Sequence, residues 1–202
     1  MDVITILGTA LGAAWTSGIN LYATVAVLVL LQRFGFVSRL PGGLEVLDNW
    51  WIIGVALFLY AVEFFADKIP YVDTVWDAVH TFIRVPAGAI IALAATTDLD
   101  PSIQVVALLI GGGLALSTHG TKATVRAGAN LSPEPVTNWT LSLVEDVFAV
   151  GAVVLAVLHP VVALVLILIF LLILAWVLPK VVRRLRKMVA AALAFFRGKA
   201  PA

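Results

Sequence analysis

The chain has 202 residues, of which 62% are hydrophobic and 12% charged, and its mean hydropathy of +1.07 is typical of a membrane protein. A net charge of +1 gives no indication of a nucleic-acid partner, and a sequence without cysteine excludes disulfides, thiol nucleophiles and cysteine-ligated metals. The three histidines lack metal-ligand spacing, so we expect neither a metal nor another cofactor.

The first apolar stretch, residues 3–31, contains small and polar residues near its middle. Ser17, Gly18 and Asn20 predict a helix break or a re-entrant segment at mid-membrane. Backbone that is not helical is tolerated at that depth only where it is buried in protein or lines a cavity. The break therefore indicates one of these two environments.

Five further apolar segments follow the turn-rich residues 34–48. They cover residues 50–66, 85–95, 103–116, 139–158 and 161–178, and a polar helix predicted at 72–83 leads into the second of them. The segment 103–116 continues into a polar stretch in which Ser117 and Gly120 predict a second break. At roughly 20 residues for each spanning helix, the sequence predicts an all-α, polytopic membrane protein of about six transmembrane helices.

A basic tail, residues 180–202, follows the last apolar segment. Seven of the thirteen Lys and Arg residues lie after Leu178, in a pattern typical of an amphipathic helix on a membrane surface. Because Lys and Arg accumulate on the cytoplasmic side, we predict a multi-pass protein of the bacterial inner membrane with both termini cytoplasmic. Anionic lipid is the expected partner of the tail.

A weak repeat relates two parts of the chain at an offset of 100 residues. Ser17 with Ala-Thr-Val at 23–25 matches Ser117 with the same tripeptide at 123–125. Three spans in each part would make the second copy inverted, which is the construction of many secondary transporters. The domains predicted are a first three-helix half at 1–100, a second at 101–179 and the tail. A chance match is the alternative in a chain rich in Ala and Val.

Ionisable side chains within or beside the apolar segments are the main clue to function. A charge at membrane depth costs from about 3 to above 10 kcal/mol, so paired partners or a water-filled cavity are expected. The candidate ion- or substrate-binding residues are Glu63, Asp67, Asp77, His80, Arg84, His119, Lys122, Arg126, Glu145 and Asp146.

Several candidates follow helical spacing. One stripe has intervals of +4, +3 and +4 and a second has +3 and +4, so each lies on one helix face. The stripes are Asp73, Asp77, His80 and Arg84, and His119, Lys122 and Arg126. Each stripe either lines a site or is a solvated cytoplasmic face, and the solvated alternative suits Asp73 and Asp77 best.

The carboxylates come in two pairs. Glu63 and Asp67 lie one turn apart and either bind a proton or a cation together, or one of them pairs with Lys68 or Arg84 while the other lies at the membrane interface. Glu145 and Asp146 lie in an apolar segment and point about 100° apart on a helix, so we expect them to have different partners.

Three segments resemble a known family. They are SGINLYAT at 17–24, EFFADKIP at 63–70, and VDTVWD at 72–77 with HT at 80–81 and IR at 83–84. These resemble a bacterial integral membrane protein family catalogued as a domain of unknown function, number 4126, and the resemblance covers nearly the whole chain. It implies a membrane fold but no particular activity.

We predict a membrane transporter or channel for a small charged solute, coupled to protons or another cation, with a polar site between inverted repeats. The expected partners are membrane lipids and either a small charged solute or a lipid headgroup, with no nucleic acid; a homo-oligomer is compatible with the sequence. The alternatives are a lipid or polyprenyl-phosphate translocase, an intramembrane hydrolase and a non-catalytic membrane scaffold. Whether the chain is an enzyme is left open, with transport favoured.

Overall fold

The computed structural model describes residues 1–130 and 135–196, and only the backbone of residues 135, 185 and 188–196. Of the predicted basic tail, residues 197–202 lie outside the described residues. The described elements are α1 Val3–Ser17, α2 Leu21–Arg33, a 3-10 helix Gly42–Leu47, α3 Trp50–Ala66, α4 Val72–Ala95, α5 Pro101–Ala129, α6 Pro135–Leu158 and α7 Pro160–Phe196.

Four of the described helices are long and apolar enough to cross a membrane. They include Val72–Ala95, Pro101–Ala129, Val136–Leu158 and Pro160–Arg184. α1, α2 and α3 are apolar but shorter. The 13 residues of α2 span about 20 Å, which is less than a hydrocarbon layer of about 30 Å. The chain therefore has the all-α architecture of a multi-pass membrane protein.

α1 and α2 form a helical hairpin: α1 starts at one end of the helix bundle, and α2 ends at that same end. Ala10 of α1, Leu31 of α2 and Ala95 at the end of α4 belong to one apolar core cluster. Beyond α2, the Gly43 N–H donates to Thr97 Oγ1 at 2.8 Å, in the turn between α4 and α5. The start of α1 and the end of α2 thus lie at the same end as that turn, which we call the loop end.

The tip of the hairpin, residues 18–20, lies inside the bundle. The Asn20 side chain caps α2 by accepting a hydrogen bond from the Ala23 N–H at 2.9 Å. Gly18 packs so closely on Ala115 and Thr118 of α5 that a Cβ atom would overlap both residues. A glycine at this position therefore permits the tip to approach α5, and the asparagine starts the returning helix.

The hairpin corrects the predicted topology. Residues 3–31 do not form one span, because the chain turns back at Gly18 and α2 returns to the loop end. Both the count of six spans and the placing of the two termini on one side depended on that span. The re-entrant alternative for the first helix is the one that the structure adopts.

α5 contains no break at Ser117 or Gly120, so that prediction is wrong. Ser117 Oγ donates to the Gly113 carbonyl at 2.7 Å, and Thr121 Oγ1 donates to the Ser117 carbonyl at 2.8 Å. Hydroxyl groups that bond back to the preceding turn remain compatible with a helix. The described residues therefore lack the second broken helix on which the inverted repeat was based.

α4 and α5 pack closely along much of their lengths. A Cβ atom on Gly88 of α4 would lie 2.5 Å from the Ala115 Cβ, and one on Gly111 of α5 would lie 2.5 Å from the Ala92 Cβ. Small residues allow such close backbone approach in membranes, where apolar burial does not drive helix association. This packing brings the polar parts of the two helices face to face.

The chain divides into two compact units, residues 1–164 and 165–202. Within the second unit, the Lys180 ammonium lies 2.8 Å from the centroid of the Trp176 ring. Arg183 Nε donates to the Pro179 carbonyl at 3.1 Å. The basic residues thus begin directly after the apolar part of α7. The candidate site lies in the first unit.

A buried charge network as the candidate functional site

The two predicted stripes meet in the interior of the first unit. Helical spacing on α4 and α5 directs each set of side chains to one face, and the close packing of these helices removes both faces from solvent. The buried ionisable residues of the two stripes are Asp73, Asp77, His80, Arg84, His119, Lys122 and Arg126. Acids from α3, α6 and the turn after α3 complete the network.

Arg84 joins α4 to α3. Its Nη2 donates to Glu63 Oε1 at 2.6 Å, and its Nη1 donates to Asp77 Oδ1 at 3.0 Å. The side chain of Arg84 is fully buried, as is that of Glu63. Two carboxylates therefore compensate one guanidinium in an environment where an unpaired charge would be costly.

Lys122 of α5 occupies the centre of the network. Its Nζ lies 2.8 Å from Asp67 Oδ2, 3.4 Å from Glu63 Oε1, and 3.6 Å from both Asp77 Oδ1 and Glu145 Oε2. It also donates to the carbonyl of Ile19, in the hairpin tip, at 3.2 Å. One ammonium thus connects the tip to acids from α3, the turn after α3, α4 and α6.

Arg126, one turn further along α5, holds α6 in the network. Its Nη2 lies 2.5 Å from Glu145 Oε2, and its Nε donates to Glu145 Oε1 at 3.1 Å. This is the bidentate geometry that makes an arginine–carboxylate pair strong. Arg126 also lies 3.3 Å from Asp67 and 3.5 Å from Asp73. Asp73 accepts a further hydrogen bond from the Asn130 amide at 2.9 Å.

The hydrogen bonds of His119 assign its neutral tautomer. Arg84 Nη1, which can only donate, lies 3.0 Å from His119 Nδ1, so Nδ1 accepts. His119 Nε2 then carries the proton and donates to the carbonyl of Asp77 at 3.0 Å. His119 therefore orients Arg84 and adds no charge to the network.

His80 lies beside the carboxylates and makes its hydrogen bonds to other groups. Its Nδ1 donates to the Trp76 carbonyl at 2.8 Å, and its ring stacks on the Trp76 ring with 4.2 Å between centroids. Its Nε2 lies 3.0 Å from the Tyr22 hydroxyl of α2. His80 thus links the returning arm of the hairpin to α4.

Asp146 and Lys68 form a separate part of the network. Lys68 Nζ donates to the Phe64 carbonyl at 2.9 Å and to Ser142 Oγ at 3.1 Å. Asp146, one turn beyond Ser142 on α6, accepts a hydrogen bond from the Asn20 amide at 3.3 Å. Lys68 and Asp146 are 5% and 7% exposed, so both charges are largely removed from water.

The network contains more acids than bases. Six carboxylates face four cations, a formal charge of −2 when all ten are ionised, since six negative and four positive charges are present. The acids are Glu63, Asp67, Asp73, Asp77, Glu145 and Asp146, and the cations are Lys68, Arg84, Lys122 and Arg126.

Four of these carboxylates have one oxygen without a hydrogen-bond donor among the described residues. The oxygens are Glu63 Oε2, Asp67 Oδ1, Asp77 Oδ2 and Asp146 Oδ2. A buried acceptor that lacks a donor is costly, so each of these oxygens can bind a proton or a water molecule.

The turn between α3 and α4 supplies two of the ionisable groups. Burial acts to raise the pKa of Asp67, but Lys122 and Arg126 outweigh it and hold this pKa below its ordinary value. Burial lowers the pKa of Lys68, and the negative charges of Asp146 and Asp67 oppose this effect. The turn therefore keeps Asp67 ionised, whereas Lys68 is held less firmly in its charged form.

The structure brings most of the candidate residues into direct contact. The ion pairs and hydrogen bonds join Glu63, Asp67, Asp77, Arg84, His119, Lys122, Arg126 and Glu145. Asp146 connects through Asn20, and His80 remains at the edge. Ser17 and Gly18, predicted at a helix break, are the last residue and the C-cap of α1, in the hairpin. The functional role of these residues remains a prediction.

Some network residues were not among the predicted site residues. Asp73, interpreted as solvated, is fully buried between Arg126 and Asn130. The signal in the sequence that could have identified Asp73 as a site residue was its position at the start of the α4 stripe. Asn138 and Ser142 were also missed, although together with Asp146 they form a polar stripe of the same kind, at intervals of four on α6. Lys68 was considered only as a partner for Glu63 or Asp67.

An apolar groove of about 480 Å³ lies beside the network, between α2, α3 and α4. Its walls include Val25, Val55, Ala87, Ile90 and Tyr22, and the Tyr22 hydroxyl lies 3.0 Å from His80 Nε2. Ala87 and Ile90 belong to α4, which is long and apolar enough to cross a membrane.

Comparison with curated proteins and with solved structures finds no match to this chain. A family model does match, over residues 7–180, and its description is "Domain of unknown function (DUF4126)". This confirms the resemblance carried by the segments 17–24, 63–70 and 72–77. The chain belongs to the DUF4126 family.

Proposed function

We propose that the protein is a membrane transporter for a small charged solute, coupled to protons or another cation, and that the buried charge network is its binding site. One observation carries the proposal: the Lys122 ammonium lies within 2.8–3.6 Å of four carboxylates from different parts of the chain. A solute can replace one of these partners while the others still compensate the lysine.

The energetic cost of the network supports transport over a purely structural role. Buried ion pairs seldom stabilise a protein more than apolar side chains of similar volume would. Ionisable residues inside membrane segments are accordingly rare, and their default interpretation is functional. A scaffold gains little from ten such groups, whereas a carrier needs exchangeable charges.

The excess of acids favours a cationic species. Each of Arg84, Lys122 and Arg126 already contacts two or more carboxylates, so none is available to an anion without breaking existing pairs. Four carboxylates of the network have an oxygen without a donor among the described residues. We therefore infer that the solute or the coupling ion that enters the network carries positive charge.

Two elements are suited to move around the site. α3 packs along α2 and more sparsely against α4, and it reaches α5 through the contacts of Glu63 with Lys122 and Arg84. The hairpin tip contacts the network through the Ile19 carbonyl and the Asn20 amide. Re-entrant segments of this kind line substrate and ion sites in transporters.

The hairpin also determines the proposed orientation. Met1 begins α1 and Asp98 lies in the turn at the loop end, so we place both on one side of the membrane. The basic residues from Lys180 onwards follow a candidate span, and we assign them to the cytoplasm by the positive-inside rule. We propose the bacterial inner membrane as that membrane.

The test is flux across proteoliposomes with an imposed pH gradient. An internal pH dye reports dissipation of the gradient after external addition of sodium, potassium, methylammonium, chloride or inorganic phosphate. We expect at least one cation to cause protein-dependent dissipation. Glu63→Gln and Lys122→Gln should abolish it, and Lys122→Arg, which keeps the charge, should retain part of it.

Glu45→Gln is the matched control, because Glu45 is an exposed acid whose nearest cation, Arg39, lies 3.8 Å away. This variant should transport as the wild type does. Gel filtration and thermal melting in detergent establish that every variant is folded. Absence of protein-dependent flux for all five solutes, or equal flux in Glu63→Gln and the wild type, contradicts the proposal.

A lipid translocase is the second candidate, and the apolar groove favours it. The groove's volume of about 480 Å³ lies within the range of ligand pockets, its walls are apolar, and Tyr22 among them bonds to His80 of the network. Ala87→Trp, which would fill the groove, should block the movement of a fluorescent phospholipid between leaflets if lipid is the substrate. Lipid movement that Ala87→Trp leaves unchanged rejects this candidate.

A further inference from the structure

Among the described residues, Asp146 is the acid of the network with no arginine or lysine nitrogen within 4 Å. Each of the other five carboxylates lies within 4 Å of an arginine or lysine nitrogen. Among the described residues, Asp146 receives one hydrogen bond, from Asn20 at 3.3 Å, and its Oδ2 accepts none. With the side chain 7% exposed, a negative charge here is strongly disfavoured.

The charged and titratable groups around Asp146 do not neutralise it. From the tip of the hairpin it meets only the neutral amide of Asn20. Electrostatic interactions link Asp146 to Tyr60, Glu63, Asp67, Lys68 and Lys122, and Glu145 is adjacent to it on α6. The acids among them oppose its ionisation, and the nearer contacts of both lysines are to other groups.

A proton is the cation that fits this position. The described part of the chain contains no group of three or more His, Asp or Glu side chains that could hold a metal ion. A proton needs a single oxygen, and Asp146 Oδ2 is available. A proton there also removes one of the two negative charges by which the acids of the network exceed its bases.

We propose that Asp146 is the exchangeable proton site of the transporter and that Lys68 responds to its protonation state. This rests on the proposed transport function. A proton from water binds Asp146 Oδ2, which makes the side chain neutral, and returns to water on release. Glu145, whose side chain is 15% exposed, is the neighbouring acid that water reaches most readily.

Lys68 gives the proton a structural effect. With Asp146 neutral, the ammonium remains on the Phe64 carbonyl and on Ser142 Oγ. When Asp146 loses its proton, the new negative charge lies one helical turn from Ser142 and attracts the ammonium from the end of α3 towards α6. Proton release therefore alters the link between α3 and α6, beside the binding site.

Infrared difference spectroscopy of the full protein in liposomes tests the inference without a solute. Acidification should produce the C=O band of a protonated, buried aspartic acid, identified by aspartate isotope labelling. Asp146→Asn should remove that band, and Asp98→Asn, at an exposed position, should keep it. In Lys68→Met the band should persist to higher pH, because the cation that favours the ionised form is gone.

The outcomes separate this inference from the proposed function. A band that survives in Asp146→Asn, or no protonated aspartate band in the wild type, overturns the proton site even if solute flux is observed. A band that Asp146→Asn removes, together with no flux for any solute, supports the proton site and contradicts the transport function. A band in Lys68→Met with the pH dependence of the wild type overturns the role of Lys68.

Discussion

The Arg84 guanidinium and the Glu63 carboxylate lie 2.6 Å apart, and neither side chain is exposed. The two residues belong to different helices, α4 and α3. Nη1 of the same guanidinium donates to Asp77 Oδ1 at 3.0 Å and also to His119 Nδ1. Arg84 is therefore both a counter-ion for two acids and the main connection of α3 to the site.

We predict that Arg84→Met lowers the free energy of unfolding by about 3–5 kcal/mol, because it leaves two buried carboxylates without their guanidinium. Thermal or denaturant unfolding in detergent measures this. Arg39→Met is the control, since Arg39 is 57% exposed and its partners lie 3.7–3.8 Å away; its effect should stay below about 1 kcal/mol. Equal effects of the two substitutions would show that the buried pair does not organise α3 and α4.

Gly18→Ala should destabilise the protein by about 1–3 kcal/mol, because the added Cβ overlaps Ala115 and Thr118 of α5. The same substitution at Gly120, where a Cβ meets no atom within 4 Å, should instead add up to about 1 kcal/mol through helix propensity. Melting curves of the two variants provide the comparison. A stable Gly18→Ala would place the hairpin tip elsewhere, and a destabilised Gly120→Ala would indicate a break in α5.

Stability should fall in acid through Asp67. Its folded pKa lies below its unfolded value, so its ionisation stabilises the fold above about pH 4, and this contribution is lost as the pH falls through the folded pKa. Asp67→Asn should be less stable than the wild type at neutral pH and should lose less stability on acidification. Parallel pH profiles of the two proteins, from melting in detergent, would contradict this.

Helical spacing made part of the site predictable. Because Asp77, His80 and Arg84 repeat at intervals of three and four residues, their common face follows from the sequence, and α5 shows the same regularity. The contacts between helices do not follow from it. That Lys122 meets acids from α3, α4 and α6 depends on the close packing at Gly88 and Gly111, which spacing within one helix does not reveal.

Hydropathy did not decide the path of the first apolar stretch. Residues 3–31 are long enough for one interrupted span or for two short helices, and the direction of α2 depends on the contact of Gly18 with α5. The second predicted break came from the small and polar residues at Ser117 and Gly120 together with a tripeptide match at offset 100. It is wrong because Ser117 satisfies its hydroxyl within the helix, whereas at the corresponding break Asn20 starts a new one.

Cysteine labelling tests the hairpin topology, and the chain contains no cysteine of its own. Single cysteines at Asp2 and Asp98 should react with an impermeant reagent from the same side of the membrane, since both lie at the loop end. A cysteine at Tyr71, between α3 and α4, should react from the opposite side. Labelling of positions 2 and 98 from different sides would mean that residues 3–31 cross the membrane.

In the proposed transport function, the buried network binds an exchangeable cation and moves it across the membrane. Electrical recording from proteoliposomes adsorbed on a solid-supported membrane measures this directly, after a rapid pH jump or a rapid jump in the concentration of the cation found by flux. A transient current is expected in the wild type and in Glu45→Gln, and none in Glu63→Gln or Arg126→Gln, provided that all four proteins elute and melt as folded. Equal currents in the network variants and the wild type, or no current in any of them, would contradict it.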